Sequence, residues 1–423
     1  MTQTDRPNTP ESTSSFDASA MTPPAYTTEE YMELEETHGA HNYHPLPIVI
    51  SRAKGSWIQD PSGTRYLDML SSYSALNQGH RHPRIIGALK AQADRVTLTS
   101  RAFHNDQLGP FLEQLTAISG FEMVLPMNTG AEAVETGLKA CRKWAYEKKG
   151  VPAGKAEIIT AEGNFHGRTT TIVGFSTEAQ YQEGFGPFTP GFVSVPFGDA
   201  DALEAAITPH TAAFLVEPIQ AEGGILMPPE GYLKRVREIC TANNVLLFLD
   251  EIQTGLGRTG KMFCFEHAGI RPDCVSLGKA LGGGVYPVSA FLADKDVMEV
   301  FRPGDHGSTF GGNPLGAAVA MASLNVLLDE ELVERADRLG SALMQKLRDL
   351  NSPHVKEVRG AGLLVGIDIK ESSGPARPFC EALMERGMLC KETHHQVIRL
   401  APPLNIEESD LDWAVEQLAA VLA

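Results

Sequence analysis

The sequence predicts an α/β fold, with helices on both faces of a largely parallel sheet, and two observations support this class. The nearly unbroken apolar run at residues 245–249 indicates a central strand that is buried on both faces. From about Pro83, short apolar runs alternate with segments of helical periodicity, as in doubly wound domains. Ligands of such sheets bind at the carboxyl ends of the strands, where we therefore expect the functional residues.

The composition is that of an ordinary globular protein and limits the classes of partner. Of the 423 residues, 36 are Lys or Arg and 53 are Asp or Glu, which gives a net charge of −17. So acidic a chain is a poor binder of nucleic acid or anionic membranes. No apolar run is long enough to span a bilayer. Six cysteines without C-x-x-C or zinc-like spacing predict reduced thiols, no metal site and a cytoplasmic location.

The chain divides into four predicted segments. Residues 1–25, rich in Ser, Thr and Pro and more acidic than basic, predict a disordered tail and not a transit peptide. Residues 26–82 form an N-terminal segment with a short helix and a small meander, which belongs to the small domain. Residues 83–312 form the large domain, and residues 313–423 complete the small α+β domain.

Two charged residues end strands in the centre of the predicted sheet. Asp250 follows the run 245–249, and Lys279 follows a second short apolar run, C-V-S-L. Both side chains are then expected in the same crevice. A lysine and an acid placed in this way suit pyridoxal phosphate, because the lysine forms a Schiff base and the acid pairs with the pyridine nitrogen. A structural pair of charges is nearly as good an interpretation of this stretch alone.

A nucleotide-binding interpretation of the same stretch is weaker. Residues 255–261 match the P-loop pattern G-x-x-x-x-G-K, but Met262 stands where a magnesium-binding Ser or Thr is needed. The match also follows the acidic strand instead of opening a strand-to-helix turn ahead of it. A P-loop-type nucleotidase and a catalytically silent binding protein with a cofactor fold are the alternatives from other classes.

A phosphate site is predicted where a helix begins in the stretch M-N-T-G-A-E-A. A strand ends at Met127, and Thr129 and Glu132 have the spacing of a capping box. The free N–H groups and the positive dipole end of the helix, near Gly130 and Ala131, favour a phosphate.

Two further strand ends carry groups suited to a flat ring and to carboxylates. Phe165 and Arg168 lie in N-F-H-G-R-T, where the ring could stack on a cofactor and the guanidinium could bind a carboxylate. Glu217 and Glu222 follow the next predicted strand at the same edge of the sheet. A solvated loop is an equally good interpretation of the arginine.

Four hydroxyl-bearing residues are candidates in loops. Tyr43 lies in an extended segment imposed by two prolines, and Tyr73 lies in a loop of small residues. Tyrosines in such segments are more often half-buried packing residues than ligand-binding residues. Ser308 and Thr309 lie in H-G-S-T-F-G-G-N-P-L, where glycines permit close approach of the backbone.

Nine motifs, in order from about residue 28 to the C-terminus, resemble those of the class III, fold type I pyridoxal-phosphate aminotransferases, and among these the ornithine enzymes. They are N-Y-H-P-L-P, S-S-Y-S-A-L-N-Q-G-H-x-H-P, M-N-T-G-A-E-A, N-F-H-G-R-T, V-E-P-I-Q, D-E-I-Q-T-G-L-G-R-T-G, S-L-G-K-A-L-G-G-G-V-Y-P-V-S-A, H-G-S-T-F-G-G-N-P-L and I-R-L-A-P-P-L. The resemblance implies an aspartate-aminotransferase-like fold, with a mostly parallel seven-stranded sheet, and a homodimer or higher homo-oligomer.

The same resemblance implies roles for individual residues. Lys279 would be the Schiff-base lysine and catalyst of the proton shift, and Asp250 would keep the pyridine nitrogen protonated. The remaining cofactor contacts would come from Thr129, Gly130, Ala131, Phe165, Gln253, Ser308 and the partner subunit's Thr309.

The implied substrates are L-ornithine, which gives up its δ-amino group, and 2-oxoglutarate, which becomes glutamate. Tyr43 and Tyr73 would both bind the substrate. Tyr43 is the residue that acetylornithine and 4-aminobutyrate enzymes typically lack. Arg168 would bind the side-chain carboxylate of glutamate or 2-oxoglutarate and Arg399 the α-carboxylate. Glu222 would mask Arg399 in the ornithine half-reaction. Around Glu222 the sequence is A-E-G-G where the family pattern is G-E-A-G, which leaves the geometry of this pair open.

Overall fold

The computed structural model describes residues 26–423, so the predicted tail at residues 1–25 lies outside the described residues. The strands, numbered in chain order, are β1 (Arg52–Lys54), β2 (Trp57–Gln59), β3 (Arg65–Asp68), β4 (Met123–Met127), β5 (Glu157–Ala161), β6 (Phe192–Val195), β7 (Thr211–Val216), β8 (Leu246–Asp250), β9 (Cys274–Leu277), β10 (Ser289–Ala293), β11 (Val355–Ala361), β12 (Leu364–Ile369), β13 (Met388–Leu389), β14 (Lys391–Thr393) and β15 (Val397–Leu400).

The helical segments are numbered in the same way. They are α1 (Thr28–His38), α2 (Ser71–Ser74), α3 (Pro83–Ala93), α4 (Leu108–Ser119), α5 (Gly130–Trp144), α6 (Thr170–Val173), α7 (Ala179–Gln182), α8 (Ala200–Ala206), α9 (Tyr232–Ala242), α10 (Lys295–Met298), α11 (Pro314–Asp329), α12 (Leu332–Asp349), α13 (Arg377–Glu385) and α14 (Glu408–Val421).

The large sheet has seven strands in the order β4-β10-β9-β8-β7-β5-β6, as the fold-class prediction required. The strands from β9 to β6 are parallel, whereas β10 runs antiparallel to both of its neighbours. Alternate residues of β8 pack into different apolar clusters, Leu247 and Leu249 on one face and Leu246 and Phe248 on the other. The apolar run at 245–249 is therefore a central strand covered on both faces.

Helix α5 covers one face of this sheet and positions the predicted phosphate site. Its buried side includes Val134, Leu138 and Cys141, the face expected from the helical spacing. Gly137 permits the close approach of the helix, because a Cβ at this position would lie 2.3 Å from the ring of Phe248. The beginning of α5 is thus placed directly beside the carboxyl end of β8.

Two smaller sheets lie outside the large one. The first, β1-β2-β3-β13, joins the beginning and the end of the chain, because β3 pairs in parallel with β13. The second is antiparallel, in the order β11-β12-β15-β14, and every residue of β12 and β15 is buried. The C-terminal segment thus combines strands with α12, α13 and α14, as the α+β prediction required.

The P-loop interpretation is wrong. Residues 255–261 form successive turns in which the Gly255 N–H bonds the Glu251 carbonyl, and no helix of the α type follows them directly. Arg258, within this stretch, is fully buried and donates to Asn77 Oδ1 and to the carbonyl oxygens of Leu363 and Pro402. Its role is therefore structural: it links the large sheet to the C-terminal segment.

Residues 26–423 contain neither a helix suited to span a membrane nor a cluster of side chains suited to hold a metal ion. None of the helices there has the length and apolarity that a transmembrane span needs. The same residues contain no cluster of three or more His, Cys, Asp or Glu side chains with the arrangement of a metal site.

Candidate active site

A cavity of about 220 Å³ lies at the carboxyl ends of the central strands, where ligands of parallel sheets bind. It brings together residues that are far apart in the sequence, and six of the predicted site residues line it: Gly130, Ala131, Phe165, Asp250, Gln253 and Lys279.

Asp250 is fixed in this cavity by contacts to both carboxylate oxygens. Oδ1 accepts from the Ile252 N–H at 3.0 Å and from Ser276 Oγ at 3.2 Å. Oδ2 lies 2.7 Å from Nδ1 of His166, whose side chain is fully buried. Sequence reasoning missed His166, although its position directly after Phe165 in N-F-H-G-R-T was an available signal. The acid is therefore held in a single orientation toward the cavity.

Lys279 lies two residues after the end of β9 and has a backbone φ of +44°, an uncommon conformation for a residue with a side chain. Its amine forms no hydrogen bond with any residue that the structure describes. Burial lowers the pKa of Lys279, although the carboxylates of Glu222 and Asp250 act in the opposite direction. A lowered pKa increases the neutral fraction of the amine, the form that acts as a nucleophile or base.

Glu217 is a second buried acid in this cavity. One of its oxygens accepts from the Phe165 N–H at 3.0 Å. Burial, reinforced by the charge of Asp250, raises the pKa of Glu217 well above its usual range. Burial thus favours the protonated form of Glu217, whose hydrogen bond orients the backbone that carries the Phe165 ring.

The N-terminus of α5, called the cradle below, lies where the sequence predicts a phosphate site. The capping box is present, because the Glu132 N–H bonds Thr129 Oγ1 and the Thr129 N–H bonds the Glu132 carboxylate. The first N–H groups of a helix lack partners within it, and those of Gly130 and Ala131 lie at the cavity. A Cβ on Gly130 would lie 2.9 Å from Cδ1 of Ile252, so a larger residue here would force the Ile252 side chain to shift.

The segment with Ser308 and Thr309 lies beside this cradle. Ser308 Oγ accepts from the Asn128 amide at 2.9 Å and from the Gly311 N–H at 3.0 Å. Thr309 is exposed and does not line the cavity of its own chain. A second, more open cavity reaches Lys279 and the cradle from the surface, which leaves the site accessible on that side.

Arg399, which is buried, and Glu222, which is partly exposed, form an ion pair at the edge of the site. Arg399 Nη1 donates to Glu222 Oε1 at 2.5 Å, and Gln253 Nε2 donates to the same oxygen at 3.2 Å. Burial opposes ionisation of Glu222, but the positive charges of Arg399 and Lys279 outweigh it and lower the pKa of Glu222. The Arg399 side chain is 1% exposed, and its Nε has no acceptor among the described residues. A carboxylate could therefore bind Arg399 once Glu222 moves away.

Tyr73 packs its ring against Arg399, with 4.7 Å between the guanidinium carbon and the ring centroid. The predicted loop around it is in fact a left-handed turn, since residues 71–74 all have φ between +48° and +70°. Each such residue costs about 1–2 kcal/mol. Asp68 offsets this cost by accepting two backbone N–H groups of the turn and contacting His80 at 2.7 Å. The turn therefore fixes the Tyr73 ring.

Arg168 lies at the mouth of the site. Its guanidinium carbon is 3.9 Å from the ring centroid of Tyr181 and 5.7 Å from that of Phe165, and within residues 26–423 it forms no ion pair. Sequence reasoning missed Tyr181. Tyr43 is 73% exposed and interacts electrostatically with Tyr73. Both Arg168 and Tyr43 are thus available to a substrate.

Three features of the cavity show that its residues fit pyridoxal phosphate. His166 Nε2 and Gln253 Oε1 are buried without partners among the described residues, so the cavity retains unused polar groups. A Cβ on Gly167 would lie 2.8 Å from Ala131 beside the phosphate cradle. The site also contains an oriented acid, a free amine and an aromatic ring, the set that this cofactor requires.

Comparisons with known proteins agree with this geometry. The family model described as aminotransferase class III matches residues 38–422. An ornithine aminotransferase of Brevibacillus brevis is 62% identical over 395 residues, which are 93% of this chain and 98% of the relative. A solved ornithine aminotransferase from Toxoplasma gondii superposes with a TM-score of 0.93 at 45% identity, over 94% of this chain and 96% of that chain. A solved acetylornithine aminotransferase from Elizabethkingia anophelis superposes with a TM-score of 0.85 at 46% identity, over 94% and 99% of the two chains.

Proposed function

We propose that this chain, which belongs to the class III aminotransferase family, transfers the δ-amino group of L-ornithine to 2-oxoglutarate and yields glutamate 5-semialdehyde and glutamate. The observation that carries the proposal is the Arg399–Glu222 pair next to Lys279. With the pair formed, the Arg399 guanidinium next to Lys279 is neutralised and does not bind an α-carboxylate. With the pair broken, Arg399 becomes available in addition to Arg168 at the mouth, and two guanidinium groups suit a dicarboxylate.

Pyridoxal phosphate, when bound, supplies an electron sink for negative charge at the reacting carbon. In the proposed arrangement Lys279 would hold the cofactor covalently, Asp250 would pair with its ring nitrogen, and Phe165 would cover the ring. Gln253 would bind the ring hydroxyl. The residues that would hold the phosphate, at the beginning of α5, are Thr129, Gly130, Ala131, Ser308 and the partner subunit's Thr309.

Lys279 is proposed to move the proton at the reacting carbon. Burial lowers the pKa of Lys279 and so favours the neutral amine, the form that accepts a proton, and the carboxylates of Glu222 and Asp250 stabilise the charge it then carries. Glu217, which accepts from the Phe165 N–H, keeps the ring-covering side chain in place.

Substrate choice follows from the ion pair. In the ornithine half-reaction Glu222 neutralises Arg399, so the α-carboxylate of ornithine is not attracted inward and the δ-amine reaches Lys279. Tyr43, at the exposed mouth, is proposed to bind the α-amino acid end. In the second half-reaction the α-carboxylate of 2-oxoglutarate displaces Glu222 from Arg399, and Arg168 binds its other carboxylate.

Acetylornithine is the second candidate substrate, because the structural likeness extends to an acetylornithine enzyme at 46% identity. 4-Aminobutyrate is the third. The presence of Tyr43 favours ornithine over both. A catalytically silent binding protein is disfavoured, because it would need neither a free buried amine nor an oriented acid in the same cavity.

A homodimer and a cytoplasmic location are parts of the same proposal. Phe103 is 73% exposed and Phe310 48% exposed, and their loops adjoin each other through the Asn105 amide and the Gly312 carbonyl. Paired exposed aromatics beside the open cavity suit a contact with a second copy. The cytoplasmic location is supported by the six cysteines, which are all buried and free of disulfides.

The test is an absorption spectrum of the purified protein with its cofactor. L-ornithine should remove the visible band of the cofactor, and 2-oxoglutarate should restore it. If the band is present and ornithine leaves it unchanged while N-acetylornithine or 4-aminobutyrate removes it, the proposed substrate is wrong. A protein that binds no pyridoxal phosphate would contradict the whole proposal.

A further inference from the structure

The loop that carries Glu222 is a closed unit, and we call residues 220–226 the Glu222 loop. Reciprocal hydrogen bonds close it, from the Gln220 N–H to the Leu226 carbonyl at 3.1 Å and from the Leu226 N–H to the Gln220 carbonyl at 2.9 Å. Glu222 lies near its tip. The main chain of the loop therefore moves as one body.

This loop contains a strained backbone. Gly224 has φ +110° and Ile225 has φ +52°, although Ile225 is a β-branched residue. Such a conformation costs about 1–3 kcal/mol and persists only where its surroundings impose it. Ile225 is fully buried, and a Cβ on Gly366 of β12 would lie 3.2 Å from its own Cβ. The sheet β11-β12-β15-β14 thus supports the strained part of the loop.

Two side chains of that sheet bind three carbonyl groups of the Glu222 loop. Thr393 Oγ1, at the end of β14, donates to the Glu222 carbonyl at 2.6 Å. Arg359, on β11, donates through Nη2 to the Gly224 carbonyl at 2.7 Å and through Nε to the Ile225 carbonyl at 3.0 Å. All of these bonds end on main-chain carbonyl groups. None of them involves the Glu222 carboxylate, which can therefore rotate away from Arg399 while the main chain stays in place.

Arg359 is itself oriented by the sheet. Its Nη1 donates to Asp368 of β12 at 2.7 Å and to Glu357 at 3.1 Å, and its side chain is 12% exposed. Because β12 pairs with both β11 and β15, the same rigid sheet presents Arg359, Thr393 and the Arg399 guanidinium. The distance between Arg399 and the Glu222 main chain is thus set within one unit.

We propose that Thr393 and Arg359 are positioning residues that determine substrate selectivity, because they fix the Glu222 main chain at the distance where its carboxylate neutralises Arg399. The inference rests on the proposed function and deepens it. A loop released from these bonds relaxes its strain and moves Glu222 away from Arg399. Arg399 then stays open to α-carboxylates, which favours glutamate at the expense of ornithine.

The first test compares three variants of the holoenzyme by rapid mixing. Thr393→Val retains the shape and removes the hydroxyl, Thr393→Ser retains the hydroxyl, and Glu357→Gln changes only the outer contact of Arg359. The loss of the visible band is followed separately with L-ornithine and with L-glutamate. Thr393→Val should lower the ratio of the two second-order rate constants, ornithine over glutamate, by about fivefold, the effect of one hydrogen bond. The two control variants should retain the wild-type ratio.

The second measurement follows the binding of an unreactive ligand, so it does not depend on the transamination reaction. Glutarate, a five-carbon dicarboxylate without an amino or keto group, can bind only if Glu222 leaves Arg399. Calorimetry should show it binding about fivefold more tightly to the Thr393→Val holoenzyme than to the wild type, with Thr393→Ser unchanged. Arg359→Lys, which retains the charge beside Asp368 but not the planar fork, should show a larger shift of about tenfold.

The outcomes separate the two proposals. If Thr393→Val slows both half-reactions equally and leaves glutarate affinity unchanged, the residue is only structural and the inference is wrong. If the wild-type band does not respond to ornithine, the proposed function fails, and the glutarate comparison alone then decides whether these residues govern access to Arg399.

Discussion

The Glu222→Gln substitution tests the central ion pair most directly. The Gln amide has nearly the same shape and retains an acceptor for Arg399, so the change removes the negative charge and little else. Arg399 remains fixed on β15 with its guanidinium against the Tyr73 ring. We expect the variant to leave Arg399 positively charged and weakly paired in both half-reactions.

The magnitude follows from the burial of the pair. The Glu222 side chain is 26% exposed and that of Arg399 1% exposed, so the contact is only weakly screened by solvent. A hydrogen bond between charged groups contributes about 1.5–3 kcal/mol. Because glutamine still accepts one bond, the lower end applies, about 1.5 kcal/mol. This free energy corresponds to about a tenfold change in selectivity.

The assay measures each half-reaction of the holoenzyme separately, with L-ornithine and with L-glutamate. Glu222→Gln should lower the ornithine-to-glutamate ratio of second-order rate constants at least tenfold. Glu178→Gln is the matched control, because Glu178 lines a third cavity together with Glu222 but forms no contact with Arg399. An unchanged ratio in Glu222→Gln would refute the masking of Arg399 by Glu222.

Three further predictions concern the cofactor and stability. Lys279→Ala should bind pyridoxal phosphate only reversibly, so that borohydride treatment followed by mass spectrometry detects no cofactor on the chain, unlike the wild type. His166→Ala leaves one oxygen of Asp250 without its partner and should weaken cofactor binding about tenfold in a spectroscopic titration of the apoprotein, whereas unchanged binding would exclude a positioning role. Burial raises the pKa of Glu251 to about 8, above its usual value near 4.5, so its contribution to stability is present at low pH and is lost as the pH rises to about 8. The urea midpoint of the wild type should therefore fall from pH 6 to pH 9 more steeply than that of Glu251→Gln, and parallel curves would show that Glu251 is ionised in the folded protein.

The sequence by itself determined the features that depend on neighbouring residues. The apolar run ending at Asp250, the short strand ending before Lys279 and the capping box of Thr129 with Glu132 are all local patterns, and each is present in the structure at the predicted place.

Only the tertiary structure decided which of these local features meet. His166 contacts Asp250 across 84 positions of the chain, and Glu222 pairs with Arg399 across 177. Contacts of this kind are set by strand order and by the docking of one sheet on another, which leave no periodic signal in the sequence. The left-handed turn at residues 71–74 escaped prediction for a related reason, since the bonds from Asp68 that stabilise it override the local preference of its residues.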